Sequence, residues 1–97
     1  MIVAPGDTRA AFDRLAPDYD RLTARDTFQH QRRTAQRALG QWLPDRGRIL
    51  EIGCGTGADT VFLAAHARSL VACDPSEGMV SRALRRIDDA GVGGRAD

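Results

Sequence analysis

Short apolar runs alternate with a helical pattern in the second half of the chain. Residues 49–52 (ILEI) form an apolar run that one acid interrupts and glycines end, which is typical of a parallel strand buried on both faces. Residues 58–66 have a helical composition, and residues 69–73 form a second apolar run closed by Asp74 and Pro75. The pattern therefore predicts a strand, a helix and a second strand, in that order.

A final amphipathic helix is expected after the second strand. Ser76 is a suitable N-cap residue, and Gly91, Gly93 and Gly94 end the helix. Apolar residues recur on one face at helical spacing, and charged residues lie largely elsewhere. The apolar face consists of Met79, Val80, Ala83, Leu84, Ile87 and Ala90.

A proline break divides the first half of the chain into two predicted helices. Asp7 or Thr8 can cap the first helix, which runs through Leu15. Pro17 ends that helix because proline lacks an N–H and restrains the residue before it.

The second predicted helix begins after Asp26 or Thr27 and ends before Pro44 and Gly47. Its apolar residues recur close to whole helical turns. They are Phe28, Ala35, Leu39 and Trp42. Its polar face carries Gln29, Arg32, Arg33, Gln36 and Arg37. We interpret that face as an ordinary solvated surface rather than an anion site.

A strand, a crossover helix and a second strand of one sheet are parallel and connected with a right-handed turn. The predicted fold class is therefore α/β, the opening part of a doubly wound, mostly parallel sheet preceded by N-terminal helices. A chain of 97 residues has room for one domain only.

Composition and charge exclude several functions. Fourteen basic residues, all of them arginine, stand against thirteen acidic ones, so the chain lacks the positive excess that general nucleic-acid binding needs. No charge-free stretch approaches the roughly 20 apolar residues of a membrane span. The chain starts without a basic, apolar leader, which predicts a cytoplasmic protein. Its two cysteines, Cys54 and Cys73, suit reduced thiols, and without a zinc-type ligand cluster we expect no metal site.

Three glycines occupy alternate positions between the first strand and its helix: Gly53, Gly55 and Gly57. Bare backbone at a helix N-terminus lets a ligand approach closely. Asp74 follows the second strand 74 − 53 = 21 residues later, which matches the ~20-residue separation at which an acid meets ribose hydroxyls. A carboxylate accepts from both hydroxyls and repels a 2′-phosphate. The two signals predict a ligand with an unphosphorylated, adenosine-type ribose.

Residues 49–57 (ILEIGCGTG) and 74–79 (DPSEGM) together resemble the class I S-adenosylmethionine-dependent methyltransferases. Upstream, residues 11–20 (AFDRLAPDYD) resemble the small-molecule branch of that family, which includes quinone-biosynthesis methyltransferases. The resemblance implies a Rossmann-like fold, S-adenosylmethionine as the cofactor and a small molecule as the methyl acceptor. It also implies direct displacement at the sulfonium carbon, for which no catalytic residue is assigned.

The resemblance also implies roles at the first strand. Gly53 and Gly55 pass under the methionine part of the cofactor. Cys54 and Gly57 complete the cofactor-binding residues of this loop, with Cys54 a small structural residue rather than a reactive thiol. Glu51 orients the loop and the amino group of the cofactor. Gly57 begins the following helix.

Further cofactor contacts are implied outside the glycines. Asp74 holds the ribose hydroxyls, and Pro75 and Met79 lie near the adenine. Tyr19 reaches the methionine carboxylate and covers the sulfonium with its ring. Packing in the core is an open alternative for Tyr19 and Met79.

Two other classes of function remain open at this point. Gly53, Gly55 and Ala58 also satisfy the G-x-G-x-x-G/A pattern of an NAD-linked oxidoreductase. Glu51, two residues before the first glycine, and the third alternate glycine, Gly57, favour the methyltransferase. A non-catalytic module that binds a nucleotide or a partner chain is the remaining alternative.

The resemblance implies two segments, a helical cap at residues 1–47 and the first half of the S-adenosylmethionine-binding domain at residues 48–97. About seven strands form the family's sheet, whereas this pattern holds two. We therefore expect an N-terminal fragment that stops near a third strand, with marginal stability.

Overall fold

The computed structural model describes residues 5–92, and in that range seven elements follow one another along the chain. The expected helix stops Gly93 and Gly94, and the stretch near a third strand, lie outside the described residues. The elements are α1 (Pro5–Leu15), α2 (Tyr19–Leu22), α3 (Asp26–Trp42), β1 (Arg48–Ile52), α4 (Ala58–His66), β2 (Ser69–Cys73) and α5 (Glu77–Ala90). No described helix has both the length and the apolar character that crossing a membrane requires.

The two strands form a parallel pair, as the sequence predicts. Their register runs from Arg48 opposite Ser69 to Ile52 opposite Cys73. Because the strands are parallel, the segments that follow Ile52 and Cys73 emerge side by side at one edge. The predicted α/β class is confirmed, and this edge positions the glycines next to Asp74.

The apolar core lies where α4 packs on β2. It is built from Leu63, Ala64 and Ala67 at the end of α4 and from Leu70 in β2, all less than one tenth exposed. Small residues let helix and strand approach closely, so the core is dense although its side chains are few.

Helix α5 adds a second layer beside α4. Ser76 accepts a hydrogen bond from the backbone N–H of Met79 at 3.2 Å, so the predicted cap is confirmed. Gly91 ends the helix in a left-handed conformation. The buried residues of α5 are Met79, Ala83 and Ile87, which belong to the predicted apolar face, whereas Leu84 of that face is exposed.

One face of the sheet is open, contrary to the expectation that the first strand is buried on both faces. Leu50 and Ile52 are 64% and 80% exposed, and Val71, opposite Leu50, is 50% exposed. Side chains alternate across a strand, so these three share a face, and the core residue Leu70 belongs to the other. Among the described residues, α4 packs on the face of the sheet that carries Leu70.

The N-terminal helices differ from the prediction in three details. Helix α1 begins at Pro5 rather than after Asp7 or Thr8, since the fixed φ of proline suits a first helical turn. The short helix α2 was not predicted, because four residues are too few to show a period. Helix α3 begins at Asp26 itself rather than after Asp26 or Thr27. It buries none of its residues, and Trp42 is 85% exposed.

Candidate functional site

Gly53 and Gly55 adopt left-handed conformations at the edge where β1 ends, with φ of 80° and 54°. A side chain is strained in that region, which explains the choice of glycine. A Cβ atom built at either position would meet no atom of residues 5–92 within 4 Å. The space above the loop of residues 53–57, here called the glycine loop, is therefore open to a ligand.

Gly57 has a different reason to lack a side chain. Its φ is 88°, and a Cβ atom there would lie 2.8 Å from Cα and 2.9 Å from Cβ of Ala83 in α5. The third glycine thus permits close packing of α4 on α5. It borders neither of the clefts described below.

Asp74 holds the glycine loop against the end of β2. One carboxylate oxygen accepts from the backbone N–H of Gly55 at 3.0 Å, and the other accepts from that of Ser76 at 2.9 Å. The Cys73 carbonyl accepts from the N–H groups of Gly53 and Cys54. Each oxygen of a carboxylate can accept more than one bond, so Asp74 retains capacity for ribose hydroxyls.

A mainly apolar cleft of about 310 Å³ opens over this edge. It brings together six of the nine residues that the sequence assigns to the cofactor: Tyr19, Gly53, Gly55, Asp74, Pro75 and Met79. Thr8 and Phe12 of α1 complete the wall. Both were missed, although Phe12 stands inside the family-like segment at residues 11–20 and could have been proposed from it.

A second cleft of about 210 Å³ lies beside the first and is more polar. Tyr19, Gly53 and Gly55 border both clefts, so the tyrosine stands where they meet. Arg32 of α3 lines the second cleft and pairs with Asp59 through Nε at 3.6 Å. No local pattern distinguishes Arg32 in the sequence, because it is one of several arginines on a polar helix face.

Glu51 lies away from both clefts and joins β1 to α4. Its Oε1 accepts from the hydroxyl of Thr60, which is fully buried, at 2.6 Å. Burial raises the pKa of Glu51, and the nearby Asp59 raises it further, while the Thr60 bond opposes that rise. The structure therefore brings Glu51 to Thr60, and its predicted contact with the cofactor's amino group stays a prediction.

Cys54 is buried within the glycine loop and lines the second cleft. Burial raises the pKa of its thiol to about 11, and the charges of Glu51 and Asp74 add to the effect. The thiol is protonated at neutral pH and is a weak nucleophile, which agrees with its interpretation as a small structural residue.

Two aspartates of the N-terminal segment fasten it to the site. Asp20 accepts from the hydroxyl of Thr56 in the glycine loop at 2.6 Å and from Arg86 of α5 at 2.8 Å. Tyr19 is its direct neighbour in the chain. Asp20 therefore fixes the segment that carries Tyr19 over the glycine loop.

Asp13 makes the corresponding connection from α1. One carboxylate oxygen accepts from the Ser76 hydroxyl and from the backbone N–H of Gly78 at the start of α5. These hydrogen bonds lower the pKa of Asp13, the Ser76 bond most strongly. Helix α1 is thus fixed at the turn that follows Asp74.

Residues 49–97 match the model of the family described as "Methyltransferase domain". The chain belongs to the class I S-adenosylmethionine-dependent methyltransferases. The recognition of the family from residues 49–57 and 74–79 is confirmed, and the matched family model favours a methyltransferase domain over the dinucleotide-binding domain of an NAD-linked oxidoreductase.

Relatives of two substrate classes are similar to this chain. It is 38% identical over 87 residues to demethylmenaquinone methyltransferase of Clavibacter sepedonicus, covering 86% of this chain and 34% of that protein. It is 44% identical over 59 residues to the 23S rRNA uracil methyltransferase RlmD of Burkholderia thailandensis, covering 60% of this chain and 13% of that protein. The chain thus spans about a third or less of the length of these curated relatives.

The fold is also found among solved structures. The complex of DhpI with SAH superposes with a TM-score of 0.69 and 23% identity, covering 96% of this chain and 42% of that one. Because the match covers 96% of the chain, it includes the N-terminal helices as well as the βαβ unit, and it shows that the two proteins share this fold.

Proposed function

We propose that this chain binds S-adenosylmethionine and is part of an enzyme that transfers the methyl group of that cofactor to a small molecule. The observation that carries the proposal is that a mainly apolar cleft and a polar cleft meet at Gly53, Gly55 and Tyr19. Asp74 lines the apolar cleft, and Arg32 lines the polar one. S-adenosylmethionine has the matching order of groups: a ribose, a sulfonium and a carboxylate.

In this proposal the ribose and adenine occupy the first cleft. Asp74 accepts from the ribose hydroxyls, and Pro75 and Phe12 supply apolar contact for the flat adenine, while Met79, at 1% exposure, packs mainly in the core beside the cleft. The mainly apolar wall suits a base, and the single acid suits the sugar.

The methionine end then occupies the second cleft. Arg32 attracts the carboxylate, and the Tyr19 hydroxyl is a second donor for it. The ring of Tyr19, between the clefts, lies where it can face the sulfonium, which π-density stabilises. Gly53 and Gly55 let the chain of the methionine pass close to the backbone.

The protein's contribution to methyl transfer is alignment and exclusion of water. The bound cofactor supplies an electrophilic methyl group, and displacement requires the nucleophile in line with the leaving sulfur. The Tyr19 segment, fixed by Asp20, would cover the reacting side of the glycine loop. No group of three or more metal-binding side chains occurs within residues 5–92.

A small-molecule acceptor is supported by the demethylmenaquinone methyltransferase, whose match covers 86% of the chain. The RlmD match favours an RNA acceptor as the second candidate and covers 60%. The net charge of +1 provides little attraction for an RNA backbone and so favours the small molecule.

Calorimetric titration with S-adenosylhomocysteine and with NAD tests the cofactor. We expect the first to bind and the second not to bind. Asp74→Ala should weaken binding of S-adenosylhomocysteine by about 1–3 kcal/mol, the scale of a lost charged hydrogen-bond partner. Asp45→Ala, an exposed acid outside both clefts, is the matched control and should leave the affinity unchanged.

Because Asp74 also holds Gly55 and Ser76, the melting temperature of each variant is measured alongside. An affinity of Asp74→Ala equal to that of the wild type would refute the ribose role. Binding of NAD with an affinity similar to that of S-adenosylhomocysteine would refute the proposed cofactor.

A further inference from the structure

The polar face of α3 borders a cavity of about 360 Å³ that lies outside the two clefts. Arg32 and Arg33 line it from α3, and Arg86 lines it from α5. Among the described residues the lining holds one acid, Asp20, which pairs with Arg86. Arg32 pairs with Asp59 outside the lining, so Arg33 is the lining arginine without an acidic partner in the described part of the chain. Arg32 and Arg33, interpreted from the sequence as part of a solvated helix face, border the same space as Arg86 of α5.

The single acid is already occupied. Both oxygens of Asp20 are engaged, one by Thr56 and one by Arg86 at 2.8 Å. The amide nitrogens of the two lining glutamines also have partners: Gln29 donates to the Thr23 carbonyl and Gln36 donates to Asp59. Within residues 5–92, by contrast, Arg33 makes no ion pair. Its guanidinium is therefore an available, permanently charged donor at this wall.

The cavity adjoins the cofactor region. Arg32 and Ala58 line both this cavity and the second cleft, so one continuous wall runs from the arginines to the glycine loop. A volume of about 360 Å³ suits a small molecule or one part of it. A ligand held here would extend toward Tyr19 and the proposed position of the sulfonium.

We propose that this arginine cavity binds an oxyanion group, a carboxylate or a phosphate, of the small-molecule methyl acceptor. Guanidinium groups recognise both anions through paired N–H donors. The inference rests on the proposed function, because it places the acceptor beside the cofactor. Beyond the proposed function, the inference is that the acceptor carries a negative charge and that Arg33 selects the acceptor by that charge.

The test is an NMR titration of the 97-residue chain with inorganic phosphate and, separately, with acetate, at constant ionic strength set with sodium chloride. We expect saturable shifts of the arginine side-chain signals with at least one of the two anions. Arg33→Gln should weaken that binding about 5-fold or more, since a charged donor is lost. Arg37→Gln removes the same charge from the same helix outside the cavity and should change it less than about 2-fold.

The outcome distinguishes this inference from the proposed function. Saturation with either anion that depends on Arg33, and that persists with S-adenosylhomocysteine bound, supports the inference. Shifts that never saturate, or equal effects of the two variants, overturn it while S-adenosylhomocysteine can still bind.

If S-adenosylhomocysteine displaces phosphate, the two molecules share one site, and the proposal of a separate acceptor site is overturned. Failure of S-adenosylhomocysteine to bind refutes the proposed function and removes the acceptor role of the cavity. Arg33-dependent binding of a short RNA that is tighter than that of phosphate overturns the small-molecule assignment.

Discussion

The N-terminal segment (α1–α3) and the unit that follows it (β1 to α5) are held in place by different forces. Of the residues whose burial is described, Ala16 is the one apolar core residue before β1. The later unit contains the others, among them Leu70 and Met79 at 1% exposure. The segment is attached by Asp13, Asp20 and the Arg32–Asp59 pair.

The difference has a physical consequence for each region. Apolar packing depends on volume and shape, so the unit from β1 to α5 should be sensitive to added or removed atoms. Charged hydrogen bonds depend on protonation and partners, so the N-terminal segment should respond to pH and to single polar substitutions. The site lies between the two regions and needs both.

Gly57→Ala should have the largest effect and tests the packing of the later unit. The added Cβ would lie 2.8 Å from Cα of Ala83, and the alanine would have to adopt a left-handed backbone conformation. We expect a loss of about 2–4 kcal/mol in the free energy of unfolding, measured with urea. Gly91→Ala needs a similar backbone but meets open space, so it should cost about 1–2 kcal/mol. Equal losses would show that the contact with Ala83 is unimportant.

Asp20→Ala should have an intermediate effect and tests the polar attachment. It leaves the buried Thr56 hydroxyl and Arg86 without their acceptor, which should cost about 1–2 kcal/mol after allowance for partial exposure. Asp18→Ala removes a neighbouring acid whose ion pair with Arg21 is largely exposed, and it should cost less than about 0.5 kcal/mol. A similar cost for both would contradict the special position of Asp20.

Asp13→Asn should have the smallest effect and the clearest pH dependence. The folded protein lowers the pKa of Asp13 below its ordinary value of 3.8, so its carboxylate stabilises the fold above that pH. The stabilisation is lost as pH falls through the folded pKa. The melting temperature of the wild type should therefore exceed that of Asp13→Asn at pH 7, and the difference should shrink below about pH 4.

Glu51→Gln provides the contrast for that measurement. The pKa of Glu51 is raised above its ordinary value of 4.5, so the contribution of Glu51 is present below that pH and is lost as pH rises through the folded pKa. The advantage of the wild type over Glu51→Gln should thus decrease with rising pH. Parallel trends for the two variants would disprove the assigned directions.

The sequence predicted the βαβ unit well because its signals are local. Period, capping and glycine placement determine β1, α4, β2 and the Ser76 cap, and all four match the structure. The family pattern at residues 49–57 identified the protein class for the same reason. The clustering of Tyr19 with Asp74 in one cleft needed the family resemblance, since 55 residues of chain separate them (74 − 19 = 55).

The rest depends on contacts between distant residues that leave no local pattern. Asp13 bonds Ser76 across 63 residues and Asp20 bonds Arg86 across 66, and neither acid differs from its neighbours in sequence. Arg32 and Arg33 look like any solvated pair until α4 and α5 are placed opposite them. The open face at Leu50 was missed because an apolar run does not say which neighbours cover it.

The two bonds of Asp74 also bear on how a ligand is received. By tying the Gly55 amide to the end of β2, this carboxylate fixes the shape of the glycine loop through contacts within the chain. In the proposed complex the ribose of the cofactor would meet an acceptor already in position and would not have to organise the loop. Recognition would then cost little conformational entropy, and association would be limited by how fast the molecule reaches the cleft rather than by rearrangement of the protein.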